Sequence, residues 1–340
     1  MRRQSQREFK VMALSSLLLQ IYSTTVLLAI TSMNIWLIIG RNVVFYRKIS
    51  FTNAIIDTLG AILVAAISIL NCLFEHFFYR HKVSLLRTSL NETANFLAFA
   101  SHNNKPKTVK LLTYSVSFVT FACHLYANFS VFGFASFKYD VMILYLMIRV
   151  VLLVLCVYDA TDAIRKRLVL LPQKMEKSLR SSDSLVFQIA ECVKCYDVLA
   201  ESIQVFSQIY GWQIFLTYKL IVVYTVGTIY YCSQLIGVQL SQVAVVLSST
   251  LWATLLILIF FSCGEANKAA QSVLLSCQNL ARYTRHRTKI SQALELFCCR
   301  INQENTLIRC SLGLPIDRKA FFNILRDAVN YLIIVFQLDI

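Results

Sequence analysis

Residues 321–338 read FFNILRDAVNYLIIVFQL, and the reading of this stretch decides the fold. After Arg326 and Asp327 only the residues Ala328 to Leu338 remain before Asp339, about half of the ~20 apolar residues that a lone lipid-facing helix requires. The stretch therefore makes a membrane span only if its lower half faces water or protein. Asn323, Asp327, Asn330, Ile334 and Gln337 recur at steps of four and three, so one helical face is mostly polar along its length. Polar residues on one face of a membrane helix line an aqueous path or a helix contact. On the first reading Asp327 and Asn330 form a wet vestibule, Ile334 a constriction and Gln337 a hydrated ring. On the second the same residues are a polar seam between helices.

Six more apolar stretches precede it, at 11–39, 54–79, 111–135, 139–158, 212–236 and 242–263, each near the length that crosses a bilayer core. The chain is therefore predicted to be all-α, one membrane domain over residues 1–340 with seven transmembrane helices. Lys and Arg are segregated among the connecting segments. Those on the N-terminal side carry 26 of the 33 basic residues, whereas the other side carries Arg41, Arg47, Lys48 and Lys138. The positive-inside rule puts the N-terminus in the cytosol and the C-terminus outside, opposite to a G-protein-coupled receptor.

Composition agrees. At 57% hydrophobic and 15% charged residues, with a mean hydropathy of +0.60, the chain has more apolar surface than a soluble core can hide. The net charge of +15 follows the topology and attracts anionic lipid of the inner leaflet; with no basic module apart from the spans, nucleic acid is not an expected partner. The apolar run after Lys10 continues to Ile39, too long for the h-region of a cleaved signal peptide. The eleven cysteines supply no extracellular pair. Cys192–Cys195 and Cys298–Cys299 lie in predicted cytosolic segments, where packing on helix faces is the expected role rather than zinc. The sequons at Asn91 and Asn128 fall in a cytosolic segment and within a span, so neither is expected to carry glycan. No cofactor, metal or catalytic constellation is predicted.

The outer loops at 136–138 and 237–241 are too short for an extracellular binding domain, so a ligand has to bind among the helices. The larger extramembrane mass is 80–110, 159–211 and 264–320, where Pro106, Pro172 and Pro315 fall as expected punctuation. Leu185, Ile189, Cys192, Tyr196, Leu199, Ile203, Phe206 and Tyr210 alternate steps of four and three, an apolar seam leading into the fifth span. Ala266, Ala270, Val273, Leu274, Cys277 and Leu280 share one helical face, and Ile290, Leu294, Phe297 and Ile301 share another. These amphipathic helices need a partner surface, which is either the rest of this chain or another subunit.

Tyr331, five apolar residues, then Gln337 and Leu338, together with Ala266-Asn267-Lys268, Leu294-Glu295-Leu296-Phe297 and Gly313-Leu314-Pro315-Ile316-Asp317, resemble the insect gustatory receptors, relatives of the insect odorant receptors. Asn330 and Leu338 depart conservatively from the Thr and Phe of that signature. The resemblance implies a ligand-gated, non-selective cation channel in the plasma membrane of sensory neurons. It also implies a homotetramer, or a heterotetramer with related subunits, in which the last span of each subunit surrounds the pore and the cytosolic helices of 159–211 and 264–320 form a central anchor. It places Gln337 toward the pore and makes Ile334 and Leu338 the gate.

The same resemblance puts a small-molecule tastant among the outer halves of the second to sixth spans. Asp57, His124, Tyr126, Phe129, Tyr139, Tyr145, Tyr224, Tyr230, Tyr231 and Trp252 are the candidates there, a set of aromatic faces with a few hydrogen-bonding groups. Each is equally a residue type that packs a bundle or marks the membrane interface. Arg149 and Lys219 lie deeper within spans and require pairing or water. A G-protein-coupled-type receptor or a membrane transporter is the alternative. The former lacks its Asp-Arg-Tyr and Asn-Pro-x-x-Tyr motifs here, and the latter lacks internal repeats or clustered ionisable groups in spans.

Overall fold

The computed structural model describes, besides pairs of residues between 24 and 40, residues 51–73, 80–97, 105–132, 134–180, 185–234, 240–284, 286, 288–303, 307–310 and 313–338. Eight helices are labelled in chain order: α1 (Phe51–Leu73), α2 (Arg80–Phe96), α3 (Lys105–Phe132), α4 (Phe134–Arg180), α5 (Leu185–Gln234), α6 (Leu240–Tyr283), α7 (Thr288–Gln303) and α8 (Arg318–Leu338). The described residues between 24 and 40 are helical too. Among the described residues the β structure is one isolated antiparallel bridge, Arg309 to Pro315.

Three helices outrun a bilayer. α4, α5 and α6 contain 47, 50 and 44 residues, which at 1.5 Å each is about 65–75 Å against a hydrocarbon core of ~30 Å. Roughly half of each helix must stand clear of lipid, and composition says which half: 159–180, 185–211 and 264–283 hold the Lys, Arg, Asp and Glu, while the remainder is nearly uncharged. These halves sit together at one end of the bundle, called here the basic end, with α2 and α7 packed on them. Thr108–Ala127, Phe187–Tyr230 and Val246–Tyr283 are long and apolar enough to cross a membrane among the described residues, and Thr58–Leu70 is a shorter apolar run.

The seam on α5 is buried inside the chain. Ile189, Cys192, Tyr196, Leu199, Ile203 and Phe206 are at most 2% exposed. They belong to one core with Ile164, Leu168 and Leu171 of α4, Ala270 and Val273 of α6, and Leu294 and Phe297 of α7. Tyr196 meets Phe297 edge to face at 5.4 Å, and Cys277 Sγ lies 4.0 Å from Met175 Sδ. The partner left open by periodicity is thus the rest of the same chain, and these seams by themselves do not call for a second subunit. Truncating one such side chain, Leu168→Ala for instance, removes about 2–5 kcal/mol of packing.

Two cations of α4 secure α2. Arg167 is 8% exposed and donates from Nε to the Leu90 carbonyl at 2.9 Å and from Nη1 to the Ala163 carbonyl at 2.7 Å. Lys174 donates to the Phe96 carbonyl and lies over the Phe96 ring, at the α2 C-terminus where a cation is favoured. Closer to the spans, Lys110 reaches Asp159 at 2.5 Å. Asp162 accepts from Arg165 at 2.8 Å and Lys166 at 2.7 Å. Burial works to raise the Asp162 carboxyl, but the hydrogen bonds from Lys166 and Arg165 overcome it and hold the group below the usual carboxylate range.

The prolines do not all punctuate. Pro106 occupies the first turn of α3, where its missing N–H is no loss, and Pro315 sits in the bridge with Arg309. Pro172, however, lies inside α4. Leu168 and Leu171 beside it are fully buried, and such packing outweighs the lost hydrogen bond of an interior proline, a penalty of about 3 kcal/mol.

Candidate ligand and pore sites

The aromatic candidates divide by where their helix faces point. Tyr224 of α5 stacks on Trp252 of α6, with centroids 5.7 Å apart and planes at 15°, and Trp252 and Tyr230 are 1% and 0% exposed. Gly60 of α1 closes the third side: a Cβ there would come within 3.3 Å of the Tyr224 ring. One turn further along α5, Thr228 and Ser249 share a hydroxyl–hydroxyl bond between α5 and α6. By contrast Tyr126, Phe129 and Tyr145 are 63%, 48% and 46% exposed, on the outer surface of the bundle rather than around the Tyr224 stack. His124 is half-buried on α3. Backbone at Asp57, Tyr139 and Tyr231 is helical, but their side chains fall outside the described residues.

Of the two deep cations, Lys219 has an aromatic answer. Its Nζ lies 4.7 Å from the Tyr218 ring centroid and 5.6 Å from that of Phe215, where ring quadrupoles offset part of its desolvation. Arg149 is half-buried, and its Nη1 makes no hydrogen bond to the described residues.

α8 is packed along one line only. Ile324 is 6% exposed, and Ala328 and Leu332 pack with it against the core, contributed here by α5 and α6. At about 100° per residue, Asn323, Asp327, Asn330, Ile334 and Gln337 cluster about 140° from that line. Asn323, Asn330, Ile334 and Gln337 are exposed and Asp327 is half-buried. The Tyr218 hydroxyl of α5 reaches Asp327 Oδ2 at 3.4 Å, a long bond. The side chain of Leu338 falls outside the described residues.

The approach to α8 is a tied loop. Ile308 N–H donates to Asn267 Oδ1 at 2.8 Å, and Asn267 Nδ2 donates to the Ile316 carbonyl at 3.2 Å. The two loop strands also pair with each other, Ile316 N–H to the Ile308 carbonyl at 3.1 Å and Cys310 N–H to the Leu314 carbonyl at 2.9 Å. Gly313 makes the turn at φ +73°, a conformation that costs glycine little. Asp317 then caps α8, accepting from Ala320 N–H at 2.8 Å. Arg318 joins Glu265 at 3.0 Å and lies over the Phe261 ring at 5.0 Å. The Asn267 and Gly313–Asp317 motifs are legible in the sequence, but their joint role needs the contact; Tyr218 carries no sequence signal that separates it from the other tyrosines.

A cavity of about 260 Å³ opens where this loop, α5 and α8 meet. Ile214, Phe215, Phe260, Leu314, Pro315, Ile316, Ala320 and Ile324 form most of its wall, and Tyr218, Asp317, Lys319, Asn323 and Asp327 supply its polar groups. Elsewhere, Cys192 and Cys195 are buried, and desolvation pushes their thiols up to about 11 and about 12. Among the described residues no three His, Cys, Asp or Glu side chains converge as metal ligands.

This arrangement of helices is the fold of an insect olfactory receptor. The chain superposes on OR5 from Machilis hrabei with a TM-score of 0.67, and on OR5 in complex with eugenol with a TM-score of 0.69. Each match is at 10% identity and covers 91% of this chain and 88% of the receptor. No curated protein matches the sequence significantly. The 7tm chemosensory receptor profile matches residues 2–340, and the chain belongs to that family.

Proposed function

We propose that the chain is a gustatory receptor subunit. It acts as a ligand-gated, non-selective cation channel in the plasma membrane of sensory neurons, opened by a small-molecule tastant held among the outer halves of the helices. Its N-terminus is cytosolic, a reading supported by the distribution of Lys and Arg. The observation that carries the reading is the one-sided packing of α8, which leaves Asn330, Ile334 and Gln337 uncovered. In a symmetric tetramer, of this chain alone or with related subunits, each of these positions supplies a ring. Four Ile334 side chains make a dry constriction that blocks ions, and spreading α8 wets it. The Gln337 amides offer neutral dipoles that replace part of an ion's hydration without strong charge selection. Asp327 and Leu338 flank this path below and above. The Tyr224–Trp252 stack with Gly60 is the part of the tastant region that α1, α5 and α6 build together. A related receptor that shares the fold was solved with eugenol bound, which supports a small organic ligand.

The test is voltage clamp of oocytes expressing wild type, Ile334→Ala and Gln337→Arg at matched surface levels, with a panel of tastants. Ile334→Ala raises basal current by weakening the closed seal, and Gln337→Arg suppresses cation current by placing positive charge in the exit. Unchanged leak, amplitude and reversal potential in both variants overturns the pore assignment. A tag at the N-terminus that stains without permeabilisation overturns the orientation.

A further inference from the structure

The cavity beneath α8 is separate from the tastant region, since neither Tyr224 nor Trp252 lines it. Its chemistry is asymmetric. Phe215, Phe260, Ile324 and Leu314 make it mostly apolar, and the carboxylate and ammonium groups in its wall are those of Asp317, Asp327 and Lys319, beside the Tyr218 hydroxyl and the Cys310 thiol. Asp317 is committed to the α8 cap through Ala320 N–H. Lys319 is exposed and lies eight residues before Asp327, about 12 Å along the helix, too far to neutralise it.

Asp327 is the under-used group. Among the described residues its Oδ2 receives only the 3.4 Å contact from Tyr218, and its Oδ1 is 4.0 Å from Arg326 Nε, the two side chains being 42% and 70% exposed. An ionised carboxylate has about four lone-pair positions to offer, and beside apolar walls an opposite charge is attracted more strongly than in bulk water. Size is also defined. A dry cavity of about 150 Å³ admits benzene, so about 260 Å³ admits a ring with a short arm.

The geometry points to a second binding site in this cavity, for a small aromatic amine whose ammonium pairs with Asp327 and whose ring lies against Phe215, Phe260 and Ile324. A neutral molecule of the same shape fills the walls but leaves the carboxylate without a new partner, and an anion meets Asp327 as a like charge.

The test is equilibrium binding of radiolabelled 2-phenylethylamine to the purified full-length chain in lipid nanodiscs at pH 7, with unlabelled 2-phenylethanol as competitor. Saturable binding is expected, with the alcohol at least about tenfold weaker. Asp327→Asn should lose about tenfold or more, while Asp327→Glu stays within about threefold of wild type. Ala320→Phe, which fills the cavity without changing charge, should abolish binding. Should that variant misfold, as judged by gel filtration and helical circular dichroism, the Asn and Glu variants decide the question alone. Absence of saturable binding, equal competition by the alcohol, or Asp327→Asn binding like wild type each overturns the site. Because binding is read rather than current, a chain that conducts no ions still gives an answer.

Discussion

Asn267 of α6 donates its side-chain amide to the carbonyl of Ile316, 49 residues further along the chain, at 3.2 Å. The same side chain accepts from Ile308 N–H, so one residue ties both strands of the loop that delivers the chain to α8. Ile308 and Ile316 are 1% and 2% exposed, where water cannot easily replace a lost partner. Asn267→Ala should therefore cost about 1–3 kcal/mol for each group left unpaired. It should lower the Tm, followed by tryptophan fluorescence in detergent, by several degrees; an unchanged Tm would show that the loop holds without the tie.

Gly60 lies against the ring of Tyr224, and a Cβ at 3.3 Å forces that neighbour to move. Gly60→Val adds two more carbons at a place with no room. The expected result is destabilisation of about 1–3 kcal/mol, the usual penalty for overpacking. A change in fluorescence should accompany it as Tyr224 is pushed off Trp252. A Gly60→Val variant with wild-type Tm and fluorescence would mean that α1 does not approach α5 this closely.

The thiols should sort by burial. Cys192 and Cys195 are buried with pKa values pushed up to about 11 and about 12 by desolvation, whereas Cys299 is exposed. The thiolate is the reactive form, so at pH 8 a water-soluble maleimide should label Cys299 first. The pair on α5 should react only once the helices separate. Mass spectrometry of peptides from briefly labelled protein reads the order, and early labelling at Cys192 would contradict the buried seam.

Asp162 makes stability depend on acid. Its folded pKa lies below its unfolded value because Lys166 and Arg165 hold the charged form against the opposing effect of burial. Its contribution is therefore complete above the unfolded carboxylate value and is lost as pH falls through the folded one. Wild type should lose Tm on titration from pH 6 toward pH 3 by more than Asp162→Asn does. Parallel curves for the two proteins would remove Asp162 from the acid response.

What the sequence determined by itself is what short-range pattern encodes. The apolar stretches, the seam from Ile189 to Phe206 and the polar face through Asp327, Asn330 and Gln337 are legible because helical geometry ties a residue's face to its spacing. Sequence alone did not decide what each face meets. The α5 seam is satisfied by α4, α6 and α7 of the same chain. Pro172 stays inside a helix because its neighbours are packed. The aromatic candidates split, Trp252 and Tyr230 inward and Tyr126 and Phe129 outward, although composition treats them alike. Asn267 finds Ile316, and Tyr218 finds Asp327 109 residues away. Such pairings belong to the tertiary structure alone, because periodicity specifies a direction around one helix, while a contact requires the position and rotation of a second.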